Sequence, residues 1–369
     1  QVAGTLDASA ASGGNGGFIE TSGAHVNVAD SAKVTTTATK GKTGKWLIDP
    51  NDFTIADSGG NMSSTAVAAA IASSDFEIQT ATMGSAGGNG DIHVNSAVRL
   101  TGNNTLTLTA ERNININASI TVEGTSGGLA LNYGGNNGNS STTPAADTRY
   151  TANAPLNLTC ANARLSINGN AYSVIRSMAD LLAIDSIGLG GRYALALDLD
   201  ASGAIYTSAL IGKTVAFTGD FAGLGHTISD LVIDAGSGNQ VGLFGTTGNG
   251  SSVRNLGLLR GSVSTTGNEV GSLVGSNRGT LDNVYATGTV SGGGNVGGLV
   301  GSNAGSLSNA FATGDVTGNS SVGGLVGYME APVVNVHASG NVLGNVDVGG
   351  LVGFIQSHLA NGFANRNVS

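Results

Sequence analysis

Four copies of one hexapeptide, VGSLVG, VGGLVG, VGGLVG and VGGLVG, end at Gly275, Gly301, Gly327 and Gly353, each 26 residues after the last. An imperfect copy, VGLFG, ends 30 residues earlier at Gly245. The period reaches beyond the hexapeptide. Leu281, Leu307, Val333 and Leu359 share one phase, and Asn283, Asn309, Asn335 and Asn361 share another. Tyr285, Phe311, His337 and Phe363 form a third series, followed by Ala286, Ala312, Ala338 and Ala364. A fixed period decides architecture before local propensity does. Helical-hairpin arrays need about 33 to 47 residues per repeat and strong helix formers. Short β-branched runs separated by Gly, Asn and Ser instead fit one coil of a β-helix.

The expected fold is therefore all-β, a right-handed parallel β-helix whose coils stack at ~4.8 Å so that equivalent side chains form ladders. Gly and Asn belong at its corners, where the backbone needs positive φ. Upstream, HVNVADSAKVTTTA, DIHVNSAVRL, NTLTLTAERNININASITV, LNLTCANARLSING and ISDLVIDAG alternate with period two, as strands with one buried face do. At about 22 to 26 residues per coil, the chain makes roughly fourteen to seventeen coils and a rod about 70 Å long. Two short helices interrupt the pattern, one over Ser64–Ala72 after the N-cap Ser63, the other over Met178–Ile184 after Ser177. The polar run from Gly134 to Tyr150 reads as a projecting loop. Three segments result: residues 1–170, residues 171–240 as a lead-in with a short helix, and residues 241–369 carrying the 26-residue repeat.

Composition narrows the function. Forty per cent hydrophobic residues support a long core despite 61 Gly, which excludes disorder. A net charge of -9 without a Lys/Arg cluster argues against nucleic acid, whose phosphates require a basic stripe. The longest apolar runs, such as Ala66–Ala72, fall far short of the ~18 residues needed to span a bilayer. Gln1 opens no signal peptide, so the sequence reads as an internal piece of something larger, not inserted in a membrane. Cys160, alone, reads as a small buried hydrophobe.

Catalytic and metal chemistry find little support. Asp198 and Asp200 share a strand face, with Asp220 and Asp234 further on, but no second acidic ladder accompanies them as a glycan-cleaving β-helix would need. His25, His93, His226, His337 and His358 lack metal-ligand spacing, and His226 reads as a turn cap. GKTGKW at Gly41–Trp46 lacks the remaining elements of a phosphate loop and reads as a turn before a strand, with Trp46 in the core or at a cap. No catalytic residue, metal or cofactor is expected. The Tyr285, Phe311, His337, Phe363 series has two readings: an internal aromatic stack, or an exposed stripe that holds sugar faces with Thr287, Thr313 and Ser339 alongside. Sharing a phase with Leu281 favours the interior. His337 favours exposure, and a kink at the Asn corner would reset the alternation. Asn283, Asn309, Asn335 and Asn361 read as a structural ladder, hydrogen-bonded from coil to coil.

GGFIETSGAHVNV, GKWLIDPNDFTIA and GGNGDIHVNSAV with NTLTLTAERNININASI resemble two-partner secretion exoproteins, the filamentous haemagglutinin-like adhesins and their haem–haemopexin-binding relatives. The copies of VGGLVG with NAFATGDV resemble the GLUG repeats of such surface adhesins, and RYALALDLDASG with FTGDFAGLGHTISDLVI is similar to the lead-in that precedes them. The resemblance implies a secreted, monomeric adhesive rod on a Gram-negative cell surface, engaging a polysaccharide or host glycoprotein in adhesion or a biofilm matrix. It further implies export through an outer-membrane β-barrel transporter recognised by a module these residues lack. A polysaccharide-cleaving enzyme and a binder of a haem carrier protein are the alternatives.

Overall fold

The computed structural model describes residues 1–80, 88–135, 148–365 and 367–369. It is a β-solenoid of about 13 turns with, among the described residues, two short helices, α1 (Ser64–Ser73) and α2 (Met178–Ile187). The chain divides into two compact units, Gln1–Val174 and Ile175–Ser369. Most of the loop expected over Gly134–Tyr150 lies outside the described residues.

In the second unit the 26-residue phase becomes strand register. Strands Thr280–Ala286, Ser306–Ala312, Val333–Ala338 and Leu359–Ala364 pair in parallel, Leu281 beside Leu307, Leu307 beside Val333, and Val333 beside Leu359. A second face stacks Val274–Asn277, Val300–Asn303, Val326–Met329 and Val352–Ile355 in the same way. The hexapeptide glycines permit the tight corner between faces. A Cβ on Gly301 would stand 2.3 Å from the backbone nitrogen of Val270 in the neighbouring coil, so a side chain there cannot fit.

The core is a column of aliphatic ladders, with Leu281, Val300, Val322 and Val326 almost fully buried. It also holds a polar thread. Thr247 Oγ1 donates to Asn277 Oδ1 (2.6 Å), Asn277 Nδ2 donates to Asn303 Oδ1 (2.7 Å), and Asn303 Nδ2 donates to Gly305 O (2.8 Å). Buried amides partnered in this way avoid the cost of an orphaned polar group.

The first unit follows the same plan less regularly. Ile92–Val94, Ile114–Ile116 and Tyr150–Ala152 stack on one face, Val98–Leu100, Ile120–Val122 and Leu156–Leu158 on another. Its neighbouring coils are offset by varying lengths, from 22 residues (Ile92 to Ile114) through 27 and 30 to 36 and 39. These longer coils, with the helices, explain why about 13 turns form where roughly fourteen to seventeen were expected. The unit ends in an antiparallel pairing of Arg164–Ile167 with Asn170–Ile175, joined by Asn168 and Gly169, both at positive φ. Asn-Gly is the pair that a tight hairpin turn selects. Trp46 is a core residue, packed 4.8 Å from Phe76, and Cys160 is buried.

Asn283, Asn309, Asn335 and Asn361 all adopt positive φ, between 51° and 56°. Their amides form two runs: Asn283 Nδ2 donates to Asn255 Oδ1 (2.7 Å), while Asn361 donates to Asn335 (2.9 Å) and Asn335 to Asn309 (3.3 Å). Between the runs, Asn309 Nδ2 turns to Asp282 Oδ1 (2.7 Å). Asn309 and Asn335 already hold a β-carbon in the left-handed region, where Asn is better tolerated than other such residues; replacing both by Ala removes that tolerance, at up to about 1–2 kcal/mol each, and removes the run. Denaturant unfolding is expected to show a loss of roughly 2–4 kcal/mol, with the double Gly variant recovering the backbone part. An unchanged midpoint in the Ala variant contradicts this role.

Candidate functional site: an outward aromatic stripe

The left-handed Asn decides where the aromatic series points. In Thr280–Ala286, Leu281 faces the core, Asn283 interrupts the alternation, Val284 and Ala286 return to the core, and Tyr285 faces out. Phe311 repeats this in the next coil, and His337 and Phe363 are exposed in the two after it. The interior reading, based on the phase shared with Leu281, is thereby corrected. Two residues in strict alternation would share a face, but one positive-φ residue between them reverses the parity.

Tyr285 and Phe311 stack with ring centres 4.7 Å apart and planes 6° from parallel. Phe311 and His337 stack at 4.8 Å and 9°. Phe363 is paired in register with His337 and is 61% exposed, which places it on the same outward face. The spacing is that of the coils themselves.

At its other end the column is acidic. Gly257 pairs with Tyr285, and the Tyr285 ring leans back over it; a Cβ at Gly257 would lie 2.3 Å from Tyr285 Cζ. Thr227 comes next in register, and its backbone N–H donates to Asp198 Oδ1 (2.8 Å). The stripe thus runs Asp198, Thr227, Gly257, Tyr285, Phe311, His337, Phe363. Burial, and then the Asp198 charge, push the Tyr285 phenol above its usual range. His226, nearly fully buried, has Nδ1 3.2 Å from the same Asp198 oxygen, and its backbone N–H donates to Gly223 O, which holds the turn.

The remaining sequence candidates occupy distinct places. Thr287 is half-buried, and its Oγ1 accepts a hydrogen bond from the Arg260 N–H (2.8 Å); Thr313 and Ser339 are exposed two residues beyond their rings. Asp200 closes its own turn by accepting from the Ser202 N–H (2.9 Å), a contact that holds its carboxyl below the usual range. Asp220 faces Arg192 at 3.2 Å. Among the described residues no cluster of His, Cys, Asp and Glu has metal-binding geometry.

A second outward stack was not anticipated. Tyr328 and Phe354, 26 residues apart on the neighbouring face, lie 5.4 Å apart with planes 8° from parallel. Their signal was the residue directly after the hexapeptide, which is Ser276 and Ser302 in earlier coils and Tyr328 and Phe354 in later ones.

The GLUG motif matches residues 292–317, one 26-residue coil that contains Phe311. Halomucin of Haloquadratum walsbyi is 39% identical over 138 residues, covering 34% of this chain and 2% of that protein. A putative Gly-rich membrane protein of Evansella cellulosilytica is 40% identical over 70 residues, 18% of this chain and 8% of that protein. The chain thus spans only a small part of the length of either relative. No solved structure matches it.

The stripe's electrostatics are open to a direct check. Site-resolved NMR of tyrosine ring carbons is expected to show Tyr285 ionising at higher pH than an unperturbed tyrosine, with part of the shift removed in Asp198→Asn. Ordinary titration of Tyr285 contradicts the packed, acid-flanked geometry.

Proposed function

We propose that this chain is a non-catalytic segment of a surface-associated β-solenoid that holds polysaccharide or host glycoprotein along its aromatic stripe. The observation that carries this reading is the outward, near-coplanar stack of Tyr285, Phe311 and His337 at the coil spacing. Flat rings in a row offer apolar faces to the C–H faces of sugar rings, while Asp198 and the Thr313 hydroxyl accept or donate hydrogen bonds at the margin. Each such contact is weak, and a chain spanning several coils gains by engaging them together.

The matched GLUG coil and the names of the relatives, a halomucin and a putative membrane protein, support placement at a cell surface. The finer reading is ours. It is a secreted adhesin akin to the filamentous haemagglutinin-like exoproteins of Gram-negative two-partner secretion, exported through an outer-membrane β-barrel partner and active in adhesion or biofilm matrix.

A non-catalytic role agrees with the aspartates. Glycan cleavage by a carboxyl pair requires one proton-bearing acid, and Asp200 is instead held ionised within its own turn. Asp198 is engaged by Thr227 and His226.

Affinity electrophoresis in gels carrying cellulose, chitin, mixed-linkage β-glucan or mucin tests the proposal. At least one polymer is expected to retard the chain, and Phe311→Ala to weaken that retardation about three- to tenfold while the chain keeps its β-solenoid circular dichroism. Retardation unchanged by Phe311→Ala and His337→Ala contradicts the stripe's role. Release of reducing ends, abolished by Asp200→Asn, contradicts the non-catalytic reading.

A further inference from the structure

The first unit contains a cavity that the aromatic stripe does not touch. Its origin is geometric. Coils stack at ~4.8 Å, whereas a helix is about 10 Å across. Where α1 replaces a strand beside Lys33–Thr35, the stack must therefore open. The helix is pinned at both ends: Ser63 Oγ donates to Asp30 Oδ1 (2.6 Å), and Ser73 Oγ donates to Val34 O (2.7 Å). Between the pins α1 presents Ala66, Ala69 and Ala70, side chains too short to close the gap.

The result is a cleft of about 340 Å³. Its deep wall is apolar, formed by Val34, Trp46 and Met62, all of which belong to the core. Native interiors leave few voids larger than a water molecule, and an apolar void of this size gives water few partners. It lies within the ~300–1,000 Å³ range of small-molecule sites. Lys33 lines the same cleft, is exposed, and forms no ion pair among the described residues.

We propose that the cleft between α1 and strand Lys33–Thr35 binds a single-chain anionic amphiphile, its aliphatic chain against Trp46 and Met62 and its carboxylate on Lys33. The apolar wall selects the chain, and the one unpaired cation on the lining selects the head group. The alanine face sets the width, so a bulkier residue at Ala69 obstructs entry.

The chain's single tryptophan lines the site and reports on it. Sodium dodecanoate, kept below its micelle concentration, is titrated into the full chain while Trp46 emission is followed, with calorimetry giving stoichiometry. The expected result is a saturable emission change at one dodecanoate per chain. Lys33→Ala is expected to weaken dodecanoate roughly three- to fivefold while leaving dodecanol unchanged. Ala69→Phe, at the exposed edge of the helix, is expected to abolish both without moving the unfolding midpoint. If Ala69→Phe lowers that midpoint, Ala69→Leu is read instead. Absence of a saturable change, binding insensitive to both substitutions, or an equal response to phosphatidylglycerol vesicles overturns the proposal, the last by showing a membrane surface to be the partner. Glycan retardation is measured on the same variants and is expected to be unchanged, so that failure here and failure of the stripe are separate results.

Discussion

A residue in the left-handed backbone region, recurring every 26 positions at Asn283, Asn309, Asn335 and Asn361, governs what this solenoid can present. Parallel stacking repeats each coil's geometry in the next, so the same backbone inversion recurs in register. On one side of the Asn the strand sends Leu or Val inward; on the other side the parity has changed, and the aromatic residue points out. Asn tolerates this conformation better than other residues with a β-carbon and offers an amide that reaches the neighbouring coil. One residue thus combines a backbone requirement, a structural ladder and the placement of the ring.

Periodicity then does the rest. A stack of rings needs parallel planes at about the distance between coils, and a solenoid supplies that spacing without dedicated packing. Glycine at 257 leaves room for the Tyr285 ring to lean toward Asp198, which gives the stripe a chemically distinct end. Where the strict period is interrupted, different chemistry emerges. Substituting α1 for a strand opens an apolar cleft, since helix and strand differ in width by about twofold.

The period, the parallel ladders and both helices were legible in the sequence, because VGGLVG fixes the register and because Ser63 and Ser177 are capping residues ahead of helix-forming runs. The facing of the aromatic series was not. Alternation assigns Tyr285 to the side of Leu281, and only the φ of Asn283 reverses that, a property that a side-chain pattern leaves open. The buried Asn277 and Asn303 were missed because polar residues after a glycine read as a turn; the structure shows Asn277 donating to Asn303 in the next coil and Asn303 donating to Gly305 O. Tyr328 and Phe354 escaped notice because serine fills their position in the earlier repeats. The coil count ran high since offsets of 36 and 39 residues carry insertions without a repeating signature.

Cysteine scanning from Leu307 to Thr313, in a chain carrying Cys160→Ser, tests the central claim most directly. Thiol labelling rates under native conditions are expected to be slow at 307, 310 and 312 and fast at 308, 309, 311 and 313, so that the alternation breaks at Asn309. Slow labelling at 307, 309 and 311, an unbroken alternation, would place the rings inside the coil and contradict the account.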